Sequence, residues 1–307
     1  MLSVAPKLTV VGRAGVGVDN IDLSAAAERG IAVLNAPAGN TVSTAELTMA
    51  LILSMVRRVA AADASVRQGE WNRSRFKGAE LRGRTLGLIG AGRIGGEVAR
   101  RCRAFGMGVV AYDPYLTDER AAELQIERAE LDQVLERADI VSLHVPLTEL
   151  TRGIINSEAI ARMKNDSFVV NVSRGGVVDE VALGDALNSG QLAGAALDVY
   201  EVEPLDTDSP LRSASNLLLT PHLGASTQEA QELVASEIAE AVRAALAEGD
   251  LSRALNAPAI GGEALRALAP LLELGRGLGR LACALSPGGV RDIGVRYAGD
   301  SDDALKP

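Results

Sequence analysis

A short apolar run, Thr85-Leu86-Gly87-Leu88-Ile89, breaks into Gly90-Ala91-Gly92-Arg93-Ile94-Gly95-Gly96 and resumes with helical spacing through Glu97-Val98-Ala99-Arg100. This order reads as strand, glycine turn, helix. It is one half of a βαβ unit, and it commits the neighbouring chain to a parallel sheet with helices on its faces. Gly90 is expected to permit the tight turn, Gly92 to let the backbone approach a pyrophosphate, and Gly95 to let the helix pack on the strand. Arg93 and Ile94 open the helix, whose N-terminus faces the anion, and count with the glycines as expected contacts. A second apolar run, Met107-Gly108-Val109-Val110-Ala111-Tyr112, ends in Asp113, about where an acid meets the adenosine ribose of a dinucleotide. A carboxylate there accepts both ribose hydroxyls and repels a 2′-phosphate. No Arg or Lys follows in Pro114-Tyr115-Leu116-Thr117, so the expected cofactor is NAD rather than NADP. The bland reading is a glycine-rich turn with no ligand; strand before, helix after and acid beyond argue against it.

Charge narrows the function classes. The net charge of −9 argues against a nucleic-acid surface, because affinity there comes mainly from Lys and Arg neutralising phosphates. The most apolar segment, 47–59, contains Thr48, Ser54 and the pair Arg57-Arg58, and is too short and too polar to span a bilayer. Cys102 and Cys283 are the two cysteines, far apart and without metal-ligand spacing, so neither a disulfide framework nor a metal site is expected. Residues 1–7 have no apolar signal core, and the expected compartment is the cytoplasm.

The rest of the chain alternates apolar runs with helical periodicity. Strands are expected at 8–13, 31–34, 140–144, 168–172, 195–199 and 217–220, besides those flanking the glycine turn. Helices are expected at 23–29, 118–124, 130–137, 157–163, 180–189, 228–248 and 263–285, with a strand-like piece at 292–297. One long helix is expected to run to about residue 67, capped by Ser43 or Thr44 with Glu46 near enough for a capping box. A basic, aromatic loop follows, Trp71-Asn72-Arg73-Ser74-Arg75-Phe76. The fold class is therefore α/β, a doubly wound parallel sheet. Asp113, His144, Ser173, Arg174 and Asp198 fall at strand ends, where such sheets bind ligands.

The other histidine, His222, lies in Thr220-Pro221-His222-Leu223-Gly224-Ala225, between a strand and a helix. Glu203 follows in Asp198-Val199-Tyr200-Glu201-Val202-Glu203-Pro204, and Arg174 sits in Asn171-Val172-Ser173-Arg174-Gly175-Gly176. An imidazole can exchange a proton with a hydroxyl, a carboxylate beside it favours the charged form, and a guanidinium can hold a carboxylate bidentately. Together they suffice to oxidise a 2-hydroxy acid. A buried histidine and a surface Arg-Glu pair are the ordinary alternatives.

These segments, with Gly12-Arg13-Ala14-Gly15-Val16-Gly17-Val18-Asp19-Asn20 and Val177-Val178-Asp179-Glu180, resemble the D-isomer-specific 2-hydroxyacid dehydrogenases over most of the chain, from Val11 to Asn256. The resemblance implies that Arg174 binds the substrate carboxylate and reactive oxygen, that His222 is the proton donor and acceptor, and that Glu203 orients it. Glu201 is then a bystander. Asp198 would hold the nicotinamide amide; His144 and Pro146 would line the cofactor pocket, with Ser173 beside them. Arg13, Val16, Gly17 and Asn40 would face the substrate, and Arg73 would reach its phosphate in a neighbouring subunit, implying a homodimer. The implied reaction is oxidation of 3-phosphoglycerate to 3-phosphohydroxypyruvate, the entry to serine synthesis. Formate dehydrogenases place Gln where Glu203 stands, and NADP-dependent glyoxylate or hydroxypyruvate reductases fit Asp113 poorly. An NAD-responsive corepressor module is the non-enzymatic alternative, and Arg13 with Arg73 favours a phosphorylated substrate over it.

The resemblance also implies a domain plan. Residues 1–38 would be part of a flavodoxin-like substrate domain, 39–223 a Rossmann-type NAD-binding domain, 224–250 a returning helix, and 251–307 the beginning of an intervening domain. Relatives carry further strands before the segment at Leu8. The strands near 8–13 and 31–34 are therefore expected to have open edges, and turnover by the chain alone is expected to be slow.

Overall fold

The structure is a computed structural model, and it describes residues 4–257 and 262–286. The chain divides into two compact units, one formed by residues 1–36 with 235–307 and the other by 37–234. The boundaries expected from the sequence, 39 and 223, fall inside the second unit.

In the first unit, β1 (Val10–Arg13) and β2 (Ala32–Asn35) pair in parallel, joined by α1 (Leu23–Glu28). The Asp22 side chain caps α1 by accepting the Ala25 N–H at 2.8 Å. Ala26, Ile31 and Val33 form a small core under Leu8, Val11 and Ile21. One of the edges expected to stand open is covered. Ala254 bridges antiparallel to Leu34, and Leu255 N–H donates to Val33 O. The Asn256 side chain accepts the Val33 N–H and donates to Ile31 O. A polar side chain so far along the chain leaves no sequence signal of that role. At the end of the chain's described part, α10 (Gly262–Leu285) is helical as expected, whereas the strand-like piece at 292–297 lies outside the described residues.

The second unit is a seven-stranded, all-parallel sheet: β3 (Thr85–Ile89), β4 (Gly108–Tyr112), β5 (Glu127–Arg128), β6 (Ile140–Leu143), β7 (Ser167–Asn171), β8 (Leu192–Leu197) and β9 (Leu217–Leu219). Their spatial order is β5-β4-β3-β6-β7-β8-β9, so the direction of winding reverses between β3 and β6. The doubly wound sheet read from the sequence is present, with its crevice at that reversal. Central strands β6 and β7 are buried at every residue, which is why they read as continuous apolar runs. Two cores cover the two faces. α2 (Thr41–Val56) and α4 (Arg93–Ala104) lie over one, bringing Ile52 and Val98 onto Leu86 and Leu88. α6 (Leu131–Arg137), α7 (Ser157–Arg162) and α8 (Glu180–Ser189) lie over the other, bringing Leu135, Ile160 and Leu183 onto Leu143 and Val169. α5 (Asp118–Leu124) leads into β5, and α9 (Gln228–Glu248) follows β9.

The single helix expected to reach residue 67 is two. Arg58 adopts a left-handed conformation, φ 55°, and separates α2 from α3 (Val59–Arg67). Its guanidinium donates to Arg75 O and to the Asn216 side chain, contacts made far along the chain. The expected cap also differs: α2 starts at Thr41, and Ser43 and Thr44 donate their hydroxyls to Gly224 O at 2.6 and 3.0 Å. Glu46 pairs with Arg101 at 3.5 Å rather than closing a capping box. Among the described residues, no helix is long and apolar enough to cross a membrane.

Candidate active site

The glycine turn is shaped as its sequence demands. Gly90 has φ +91°, and a Cβ there would lie 2.5 Å from His144 O, so the turn at the end of β3 abuts the end of β6. A Cβ on Gly95 would lie 2.1 Å from Gly90 O, which fixes the close packing of helix on turn. At Gly92 a Cβ would meet nothing within 4 Å, so the outer side of the turn is open. The first bond of α4 runs from Gly96 N–H to Gly92 O, leaving the N–H groups of exposed Arg93, half-buried Ile94 and Gly95 at the helix mouth. Such a cradle fits a pyrophosphate.

Asp113 ends β4 one strand away. Its Oδ2 accepts the Ala91 N–H and its Oδ1 the Tyr115 N–H, both at 2.8 Å. Each oxygen keeps a lone pair, so the carboxylate is fixed in orientation and can still accept a diol. His144 closes β6, its Nε2 2.9 Å from Ser142 Oγ and its Nδ1 buried without a hydrogen-bond partner. Burial pushes its pKa down to about 3. Pro146 is exposed beyond it, its carbonyl accepting the Thr151 hydroxyl. These features fit a dinucleotide at the reversal of the sheet.

Farther along the same rim the catalytic candidates converge. The loop after β7 is held by Asn171, whose amide donates to Arg174 O at 2.9 Å and whose Oδ1 accepts the N–H and hydroxyl of buried Ser173. Arg174 donates to Ser173 O at 2.6 Å. The loop after β8 lies directly against this one. A Cβ on Gly175 would fall 1.7 Å from Tyr200 O and 2.7 Å from Glu201 N, so only glycine permits the contact.

Glu203 follows in that second loop, its peptide bond to Pro204 being cis. Its Oε1 accepts the Tyr200 N–H at 3.1 Å, and its Oε2 lies 2.7 Å from His222 Nδ1. The side chains of His222 and Glu203 are 51% and 36% exposed. A pair this open adds little to stability; the contact fixes the ring through Nδ1. A cavity of about 610 Å³ opens beside the pair, lined also by Tyr200, Leu205 and Arg212.

His222 has φ 56°, a conformation unfavourable for a residue with a Cβ. The loop is held there from beneath. Asp198, fully buried, accepts the Thr220 hydroxyl and the Leu223 N–H with Oδ1, both at 2.7 Å, and the Gly224 N–H with Oδ2 at 2.9 Å. The Tyr200 hydroxyl donates to Thr220 O at 2.8 Å. Asp198 is expected from the sequence at the nicotinamide amide; in the structure its carboxylate is buried and holds the His222 loop. Tyr200, Thr220 and Gly175 shape these loops and are not singled out by the sequence, although each lies within a motif that is.

The remaining expected residues fall in both units. In the first, Gly15 has φ +148°, Arg13 donates to Ala14 O, and Asn35 donates to Val16 O at 2.8 Å, so the 14–17 turn after β1 is tied to the end of β2. In the second, Asn40 precedes α2 with its Oδ1 buried and unbonded, while Arg73 stands exposed in a short 3-10 turn, Arg73–Phe76.

Residues 49–224 match the family described as D-isomer specific 2-hydroxyacid dehydrogenase, NAD binding domain. The chain belongs to the D-isomer-specific 2-hydroxyacid dehydrogenases, and its second unit contains their NAD-binding domain. Its relatives include D-3-phosphoglycerate dehydrogenase 2, chloroplastic, of Arabidopsis thaliana, 51% identical over 97% of this chain and 48% of that protein. D-3-phosphoglycerate dehydrogenase of Archaeoglobus fulgidus is 45% identical over 97% of this chain and 57% of that protein. The chain thus spans about half the length of these curated relatives. Among solved structures, D-lactate dehydrogenase from Aquifex aeolicus, complexed with NAD and lactic acid, is 34% identical, with a TM-score of 0.76 over 84% of this chain and 83% of that one. The TT0316 protein of Thermus thermophilus is 38% identical, with a TM-score of 0.76 over 83% and 81%.

Proposed function

We propose that this chain carries the catalytic core of a D-3-phosphoglycerate dehydrogenase acting in the cytoplasm, oxidising 3-phosphoglycerate to 3-phosphohydroxypyruvate. The observation that carries the reading is the contact of Glu203 Oε2 with His222 Nδ1 at 2.7 Å, on the sheet rim that also bears Arg174. NAD, when bound, accepts the C2 hydride. Asp113 orients the adenosine ribose and disfavours a 2′-phosphate, while the mouth of α4 takes the pyrophosphate. Arg174 grips the substrate carboxylate and the C2 oxygen. His222 Nε2 takes the hydroxyl proton as the C2–H bond breaks, and Glu203 stabilises the imidazolium so formed. His144 and Pro146 wall the cofactor pocket. Arg13, Val16, Gly17 and Asn40 are assigned to the substrate, and Arg73 to its phosphate across a homodimer.

The test follows NADH oxidation by the 307-residue chain with phosphohydroxypyruvate, pyruvate and glyoxylate. Phosphohydroxypyruvate is expected to be the preferred substrate. His222→Asn is expected to lower kcat by about 10²- to 10⁴-fold with NADH affinity unchanged. Arg174→Ala is expected chiefly to raise KM. A chain that binds NADH yet reduces pyruvate or glyoxylate in preference would overturn the substrate, and full activity in His222→Asn would overturn the mechanism.

A further inference from the structure

Glu180 opens α8, directly after the loop that carries Arg174. Its Oε1 accepts the Glu201 N–H at 2.6 Å, reaching from the Arg174 side to the loop that carries Glu203. The same peptide is also met by Gly175, whose missing side chain leaves the space occupied by Tyr200 O and Glu201 N. The Tyr200–Glu201 peptide is thereby held both by the loop after β7 and by the first residue of α8. Immediately upstream, the Tyr200 N–H is donated to Glu203 Oε1, so the placement of that peptide sets where the Glu203 carboxylate can stand. Glu203 in turn meets His222.

We propose that Glu180 is a positioning residue for the Glu203–His222 pair, acting through the backbone N–H of Glu201 and keyed to the loop of Arg174. This deepens the dehydrogenase reading above and rests on it. The Glu201 side chain is exposed and has no part in the contact; its backbone does the work. The task of Glu180 is geometric, to supply an acceptor oxygen at one distance from α8. A side chain of the same length with a neutral acceptor therefore suffices, and a shorter one with the same charge does not. Burial raises the Glu180 carboxyl above the usual carboxylate range, the bond from Glu201 opposing it and the charges of Glu201 and Asp179 adding to it. A carboxylate held where ionisation is disfavoured is consistent with a place set by geometry.

The experiment compares Glu180→Gln, which keeps the acceptor and loses the charge, with Glu180→Asp, which keeps the charge and withdraws the oxygen. Steady-state reduction of phosphohydroxypyruvate is expected to show Glu180→Gln within about twofold of wild type. Glu180→Asp is expected to lose about tenfold in kcat with the KM for NADH unchanged, the scale of a small misplacement of a reacting group. The second readout needs no turnover. Long-range proton–nitrogen NMR reports which ring nitrogen of His222 carries the proton, and the chain's other histidine, His144, is kept neutral by burial. Wild type and Glu180→Gln are expected to show His222 protonated at Nδ1 and donating to Glu203; Glu180→Asp is expected to show mixed tautomers. If the wild type proves inactive toward every 2-oxo acid, the reading of its function fails while the tautomer comparison still decides the role of Glu180. Two variants that match each other, in rate or in tautomer, would overturn the proposal.

Discussion

His144 and His222 occupy the same rim of the sheet with different exposure, His144 half-buried and His222 exposed, and exposure sets their chemistry. His144 lies against Ser142, with its pKa lowered to about 3 by burial, so it stays neutral at working pH and can wall a pocket but not shuttle protons. The unfolded imidazole binds a proton near pH 6.5, whereas the folded one resists until about 3. Its contribution to stability is therefore complete above the unfolded value and is lost as pH falls from there toward 3, by up to roughly 1.4 kcal/mol per pH unit. Urea unfolding at pH 7 and pH 5 is expected to show a smaller acid loss in His144→Gln than in wild type. Equal losses in the two proteins would contradict the burial argument. Arg174, Glu203 and His222 are legible in the sequence because each follows an apolar strand run within a short polar motif. Tyr200 and Glu180 are not, because they act through backbone groups of other loops, nor is Thr220, whose hydroxyl serves the distant Asp198 carboxylate; none leaves a periodic trace. Asp198 shows the converse: its place at a strand end is legible, but the donors that enclose it come from a loop more than twenty residues away.

At the scale of elements, the sequence carries every strand of the sheet except β5, whose two residues are too few to show a pattern. The break between α2 and α3 is hidden for a different reason. Local periodicity favours one helix, and the left-handed Arg58 is held by Arg75 and Asn216 from outside the helix. Contact between the loops after β7 and β8 is equally non-local, yet it has a sharp requirement at Gly175. Gly175→Ala is expected to push the Arg174 and Glu203 loops apart. Activity should fall by about 10²-fold, because groups that act on one substrate tolerate little displacement, while NADH affinity stays within about twofold. Calorimetric titration beside steady-state kinetics checks both halves, and a parallel loss of affinity would mean that the damage spreads to the nucleotide turn.

For the whole molecule, Trp71 is 82% exposed at the start of the loop that bears Arg73 and Phe76, an uncommon setting for the chain's one tryptophan. Tryptophan and arginine are enriched in interface cores, and the homodimer proposed above gives this loop its partner. Light scattering is expected to give close to twice the 31.9 kDa of one chain, and Trp71→Ala to shift the mass toward the monomer. A wild-type monomer at micromolar concentration would leave Arg73 without a substrate to reach. The sheet itself has a consequence in time. Every neighbouring pair of its strands runs parallel, so no pair can form as a local hairpin, and each must wait for an intervening stretch of chain to loop back. The meeting of β3 with β6 that creates the nucleotide crevice requires α4, β4, α5, β5 and α6 to have been threaded between them. Such distant pairings slow folding, and they leave the nascent chain without a nucleotide crevice until β6, the fourth of the seven strands in chain order, has been synthesised.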